Sequence, residues 1–308
     1  MTPTGSARIG TAWFLNGLAS LQQRETRTQR ELSSGFQIND ASDSPSQTPE
    51  LIQLGSSLAA AQAWQTNIAS VQTETTAADQ AIGASISLIQ SAETLAAQGN
   101  NTSNSAATAQ TLAAQVQGIQ QQLVGIANTT VNKRLIFGGD QDQTAPYQSD
   151  AASATGVDRL TAQTSTRVIV DPAGQPVYQP LTARQIFDPE DATGAPTANN
   201  TFAALQSLYT ALRANNQPAI ANALTSLQTA STYVNQQQAY YGAAEQRLTN
   251  EGNNAANLVT NLQTQIGNIR DTNVAQAATD LTQESTDQSA ALGAEAEISP
   301  KTLFDYLG

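Results

Sequence analysis

Between Leu51 and Ala96 the apolar and small residues return at alternating steps of three and four: Leu51, Leu54, Leu58, Ala61, Ile68, Ile82, Ile86, Ile89 and Ala96, with Trp64 and Val71 widening the stripe. That spacing keeps one face of an α-helix apolar over many turns, as in helices that pack lengthwise against others. Pro45 and Pro49 stand where such a helix starts, because an N–H missing there has no partner to lose. Gly99 and the run Asn100-Asn101-Thr102-Ser103-Asn104-Ser105 cannot continue the period and mark its end. The helix so bounded has about 50 residues and a length of about 75 Å. No small domain covers a helix of that length by itself. It needs partner helices.

Two are available. Leu112, Val116, Ile119, Leu123 and Ile126 make a shorter stripe, antiparallel to the first because the connection is short. In the C-terminal half, Ile220, Leu224, Leu227, Val234, Tyr241, Leu248, Ala255, Val259, Leu262, Ile266 and Ile269 hold one heptad register. Gln65, Gln72, Thr75, Gln238 and Glu245 fall on these seams, and polar seam residues weaken an isolated coiled coil while fixing its register. The chain is therefore a helical bundle with a leaky core, or a subunit whose remaining faces are covered by neighbours.

Composition narrows the function classes. Aromatic residues are 5% and charged residues 12% of the 308, and much of the remainder is Ala, Gln, Thr, Ser and Asn, which suits thin helical layers. A net charge of −12 opposes binding to nucleic acid phosphates and to an anionic membrane surface. With no cysteine and no histidine there is no disulfide, thiolate nucleophile, imidazole base or imidazole metal ligand. No acid–nucleophile constellation stands out, and the expectation is a chain without catalytic activity, metal or cofactor. The apolar stretch from Ile9 to Leu21 is interrupted by Thr11, Asn16, Gly17 and Ser20; it is too short to span a bilayer and poor as a secretory signal.

From about residue 140 to 197 the composition changes, with Pro146, Pro172, Pro176, Pro180, Pro189 and Pro196 interrupting any helix. Arg167-Val168-Ile169-Val170, Asp171-Pro172-Ala173-Gly174 and Gln175-Pro176-Val177-Tyr178 read as strand, turn and strand. The segment is expected to be a small β-rich domain on a helical stalk, removable without loss of the helices. The fold class expected is mainly α, a long antiparallel helical rod drawn from both halves of the chain with that insert between them.

The two ends differ in charge: residues 1–38 carry a net +2 and residues 271–298 a net −6. Apolar patches accompany them, Phe14, Leu15, Leu18, Leu21 and Leu32 at one end and Leu281, Leu292 and Ile298 at the other. Complementary ends can pair within or between copies. Beyond them lie Leu303, Phe304, Tyr306 and Leu307, large apolar groups on a terminal tail with no fold of its own to bury them. These twelve residues are the candidate assembly contacts. Asn39, Asp40 and Asp43 lack the spacing and glycine of a calcium loop and are better read as turn and cap residues. Tyr240 and Tyr241 sit in the heptad and read as core.

Several segments resemble the flagellin superfamily, and within it the proteins of the hook–filament junction. Glu31-Leu32-Ser33-Ser34-Gly35 looks like the helix end and turn of that family, and Ile38-Asn39-Asp40-Ala41-Ser42-Asp43-Ser44-Pro45 like its acidic loop, here with Ser44 before the proline. Arg134-Leu135-Ile136-Phe137-Gly138-Gly139, Thr144-Ala145-Pro146-Tyr147, Phe202-Ala203-Ala204-Leu205 and Asp271-Thr272-Asn273-Val274 follow in the family's order, and Leu303-Phe304-Asp305-Tyr306-Leu307 resembles a junction tail. The resemblance implies five regions: an assembly helix and loop (1–45), the first half of a rod (46–139), the outer insert (140–197), the second half (198–274) and an assembly helix with tail (275–308). It further implies an extracellular flagellar subunit exported without a cleaved signal, in contact with other copies of itself, hook-associated protein 1 and flagellin, with an export chaperone on its C-terminal region. A filament-forming flagellin and a secreted helical adhesin or effector are the alternatives.

Overall fold

The computed structural model describes residues 4–298, with side chains over 12–294. In chain order the elements are α1 (Thr4–Ser34), α2 (Thr48–Gly99), α3 (Ala106–Ala127), β1 (Thr130–Val131), β2 (Arg134–Leu135), β3 (Tyr147–Ser149), β4 (Val157–Arg159), β5 (Ile169–Val170), β6 (Pro176–Tyr178), α4 (Ala183–Phe187), α5 (Thr201–Arg213), α6 (Gln217–Arg270) and α7 (Val274–Ile298). The fold is mainly α with a small β-rich insert. The strands form three separate antiparallel hairpins, β1–β2, β3–β4 and β5–β6. The chain divides into two compact units, one from residues 1–61 with 257–308, the other from residues 62–256.

The larger unit holds one continuous core. Ile82, Ile89, Leu123, Leu205, Leu208 and Leu227 are fully buried in it, drawn from α2, α3, α5 and α6. Its helices start where the sequence supplies caps: the Ser105 side chain accepts from the Thr108 N–H, and the Asn200 side chain from that of Ala203. Gly99 closes α2 against α5 so tightly that a Cβ there would lie 2.3 Å from Leu212 Cδ2.

The seam differs from the expected one in its filler. Burial in α2 runs Ala61, Trp64, Ile68, Val71, Thr75, Ala78, Ile82 and Ser85, with Trp64 half-covered; Gln65 is exposed and Gln72 half-exposed. In α6 it runs Ile220, Ala223, Leu227, Ala230 and Val234, then Tyr241, Ala244 and Leu248, while Leu224, Gln238 and Glu245 are only half-buried. The large residues name the face correctly, but alanines fill the alternate positions because neighbouring helices approach there. Each helix also changes step once: Leu58, Ala61 and Trp64 are three apart, whereas Glu251, Ala255 and Val259 are four apart. Such interruptions locally over- or under-wind a heptad seam.

The insert is less detached than its composition suggests. Its hairpin at Ile169–Tyr178 forms as expected, closed by Asp171, whose carboxylate accepts from the N–H groups of Ala173 and Gln175. Yet Tyr147, Tyr178, Ile186 and Phe187 enter the helical core, beside Phe137 just before the insert. Phe137 meets Phe187 and Tyr241 edge-on at 6.1 and 6.5 Å, and Tyr147 lies 5.0 Å from Phe202, between ring centroids. These rings dominate the burial of the region, so removing the insert uncovers α5 and α6. The expectation of harmless deletion does not follow from this packing. Tyr241 is core, as its heptad place implies, while Tyr240 stays partly exposed and donates to the Gln179 carbonyl at 2.6 Å.

Candidate assembly surface

The smaller unit is organised around one clamp. Gly35 ends α1 at φ +77°, a left-handed conformation that glycine adopts without steric cost. The Gly35 carbonyl accepts from the Thr272 N–H at 2.9 Å, and the Arg270 carbonyl accepts from the Gln37 N–H at 2.7 Å. Gln37 Nε2 donates to the Ile269 carbonyl at 2.8 Å, and the Arg270 guanidinium lies 3.7 Å from the Phe36 ring centroid. The end of α1 is thus tied to the turn between α6 and α7. In the following loop the Asp43 carboxylate accepts from the N–H groups of Asn39 and Asp40 at 2.9 and 2.8 Å, which holds its pKa below the usual carboxylate range. That is a turn-forming role.

From this clamp α1 and α7 pack along one another. Their facing residues keep heptad spacing, Phe14, Leu18, Leu21, Glu25, Thr28 and Leu32 on α1 against Ala277, Leu281, Glu284, Gln288 and Ala291 on α7. Thr28 and Ala277 alone among these are buried; the rest are half-covered. Polar groups occupy the middle of the seam, and Glu284 Oε2 is buried without a hydrogen-bond partner. A two-helix seam of this kind leaves most of each helix open to solvent.

The sequence-derived contacts therefore divide. Phe14, Leu18, Leu21, Leu32 and Leu281 face the α1–α7 seam, whereas Leu15 and Leu292 point away from it and are exposed. Ile298 closes α7 with its side chain outside the described residues, and Leu303, Phe304, Tyr306 and Leu307 lie outside them altogether. Reading by seam missed Trp13, 77% exposed on α1, and Ile52, 65% exposed on α2. Their signal was size: a tryptophan off the apolar stripe has no place in the described seam of its own helix pair. Within the same unit Leu51, Gly55 and Leu58 of α2 and Ile266 and Gly267 of α6 line a groove of about 430 Å³, completed by Arg270 and Asp271.

The charges of the larger unit are arranged differently. Asp188 is buried and accepts from the Tyr147 hydroxyl at 2.9 Å, from Asn200 Nδ2 at 2.6 Å and from the Arg159 guanidinium. Arg159 and Arg184 both reach Glu190, at 2.6 and 2.8 Å, and the Arg159 hydrogen bond holds the Glu190 carboxyl below its usual range. On the other side Glu74 of α2 takes Arg167 at 2.8 Å and Arg134 at 3.7 Å. Asp188, Glu190 and Glu74 each meet an arginine, and the Arg167–Glu74 pair fastens the insert to α2. Among the described residues no group of acidic side chains is placed to hold a metal ion.

Two family descriptions fit this chain: the bacterial flagellin N-terminal helical region matches residues 11–142, and the flagellin C-terminal helical region matches residues 224–307. The chain belongs to the flagellin superfamily. The matched spans take in both sides of the clamp, all of α2, α3 and α7, and most of α6. Among curated proteins it is similar to flagellar hook-associated protein 3 of Escherichia coli K12, 25% identical over 205 residues, and of Salmonella typhimurium LT2, 23% identical over 205 residues. Each match covers 65% of this chain and 63% of the relative, so the matched stretch is under two thirds of those proteins' length. Among solved structures, a candidate flagellar hook-associated protein of Vibrio parahaemolyticus superposes with a TM-score of 0.64 at 16% identity, covering 74% of this chain and all of that one. FlgL of Bacillus cereus gives 0.54 at 17% identity, covering 70% of this chain and 99% of that one. This flagellin-superfamily chain shares their fold.

Proposed function

We propose that the chain is a structural, non-enzymatic subunit of the bacterial flagellum that joins hook to filament, acting through contacts of its terminal helices. The observation that carries the reading is the contrast between a sealed helical core and a terminal α1–α7 pair whose described apolar residues, Ala277 apart, are half-covered or exposed. Apolar groups displayed along paired helices are stabilised by burial against neighbours, at about 25 cal/mol per Å². The similarity to proteins named flagellar hook-associated protein 3 supports a junction role over a filament-forming one.

In this reading the chain reaches the outside of the cell through the flagellum's own export route, with a chaperone on its C-terminal region. It then meets copies of itself, hook-associated protein 1 on one side and flagellin on the other. Leu15 and Leu292, together with Leu303, Phe304, Tyr306 and Leu307, are the contacts proposed to be buried on assembly. No helix among the described residues is long and apolar enough to cross a membrane. Electron microscopy of the purified chain after a polymerisation trial separates the two family roles. Short closed oligomers or unpolymerised chains agree with a junction subunit; long filaments built from this chain alone make it a flagellin.

A further inference from the structure

We infer that Glu25 and Glu284 form a charge catch, two carboxylates opposed across the middle of the α1–α7 seam that keep the pair only loosely closed in the single chain and poised to open. The register follows from the clamp. Phe36 pairs with Asp271 and the Thr272 N–H donates to the Gly35 carbonyl, so α1 and α7 run antiparallel away from one fixed point. Counted from there, the seam residues of both helices recur at steps of four, three, four and three. The central layers are therefore Thr28 with Leu281, Glu25 with Glu284 and Leu21 with Gln288. A shift to the next matching register moves one helix by seven residues, about 10 Å, which the clamp does not allow.

Like charges set opposite one another oppose helix pairing, and a desolvated carboxylate oxygen without a donor adds the cost of an unmade hydrogen bond. Both conditions are met here. The two glutamates are half-buried, and Glu284 Oε2 is buried with no partner. Glu25 takes one hydrogen bond, from Gln29 Nε2 of its own helix at 3.2 Å. No cation compensates them: α7 contains neither lysine nor arginine, and Arg24, next to Glu25 in sequence, is exposed and makes no ion pair with a described residue. The neighbouring polar residue of the seam is satisfied by contrast, since Thr28 Oγ1 donates to the Arg24 carbonyl at 3.1 Å. Neither glutamate stands in the first turn of its helix, where a carboxylate would complement the free N–H groups. What the two have in common is the layer they share. They weaken the seam at its centre, while the clamp at its base keeps the helix ends together. This inference does not depend on the junction reading.

Glutamate, glutamine and lysine have closely similar helix propensities, so exchanging them at these positions tests the seam rather than the helices. In the unassembled full-length chain, Glu284→Gln and Glu25→Gln should each raise the hydrogen-exchange protection of α1 and α7 amides by about tenfold. Asp287→Asn, which removes the same charge from an exposed position off the seam, should change it by less than about twofold. Glu25→Lys and Glu284→Lys should each protect the pair as well. The double variant, with two lysines opposed, should return it to the native level or below. Protection left unchanged by Glu25→Gln and Glu284→Gln overturns the catch. An equal gain from Asp287→Asn also overturns it, because the effect is then one of net charge. So does an additive gain in the double lysine variant, which would show that the two residues do not face each other.

Discussion

The two units are built from the same helical spacing and differ in what covers it. In the larger one, α2 and α6 meet α3, α5 and the aromatic side of the insert, and Ile68, Ile82, Ile89, Leu227 and Leu248 lose essentially all contact with solvent. In the smaller one the same two helices carry Leu51, Leu54, Leu58 and Ile266 at the same kind of step, and all four are only half-buried. Among its described apolar residues Ile38, Ala61, Leu262 and Ala277 alone are buried. Periodicity decides which face of a helix is apolar. Whether that face is covered depends on a further layer, which one unit holds within the chain and the described residues of the other do not supply.

The sharpest way to break the comparison is native-state hydrogen exchange on the unassembled chain. Local opening free energies run from near zero to the full stability of a domain, typically 5–15 kcal/mol. Amides in α3 and α5 should therefore exchange at least about 10³-fold more slowly, relative to their unstructured rates, than those of α1 and α7. Equal protection in α1 and α3 would show that the terminal pair is stable without neighbours. Side-chain truncation asks the same question on a smaller scale. Leu208→Ala in α5, fully buried, should cost about 2–5 kcal/mol in thermal or denaturant unfolding. Leu281→Ala on the half-covered seam should cost under about 1 kcal/mol in the unassembled chain and show its effect on association instead. Similar costs at both sites would remove the distinction between sealed and unsealed seams.

The smallest effect expected is acidic. The hydrogen bond from Arg159, then the charges of Arg159 and Arg184, lower the Glu190 pKa in the folded chain. A depressed carboxylate contributes stability above its unfolded pKa of about 4.3, and that contribution is lost as the pH falls through the folded value. The melting temperature of the larger unit should thus decline below about pH 4, and Glu190→Gln should flatten that decline. An unchanged acid limb in the variant would place the pH response elsewhere.

The long helices were legible because Leu, Ile and Val repeat along them, and the Ile169–Tyr178 hairpin because Asp-Pro-Ala-Gly states its turn. Alanine carried less signal. Ala223, Ala230 and Ala244 are seam residues, yet beside Leu224, Gln238 and Glu245 they read as spacers, since a methyl group is apolar enough to be buried and small enough to be ignored. The β1–β2 hairpin was unreadable for a different reason: its turn uses Asn132 and Lys133 at φ 51° and 64°, without the glycine that usually announces such geometry. Asp188 gave no sign in the sequence, because its partners Tyr147, Arg159 and Asn200 converge from distant segments. At the assembly surface the apolar stripe of α1 was visible, whereas the open groove needs the facing of Gly55 and Gly267, which only the packing of α2 on α6 creates.

The turns of the insert share one construction. Asp150, Asp171 and Asp191 each accept from the N–H two residues ahead, and Gly156, Gly174 and Gly194 each take a positive φ where the turn closes. The 171–174 and 191–194 turns complete their own hydrogen bonds, whereas the 150–156 turn also accepts from helix side chains, Gln120 Nε2 of α3 at the Thr155 carbonyl and Gln206 Nε2 of α5 at the Ala151 carbonyl. Residues added between aspartate and glycine near Ala173 or Thr193 lengthen an exposed tip and leave the anchoring rings in place. The tips at 171–174 and 191–194 are thus free to vary in length, and a foreign peptide carried there would be shown to solvent on an otherwise unaltered subunit.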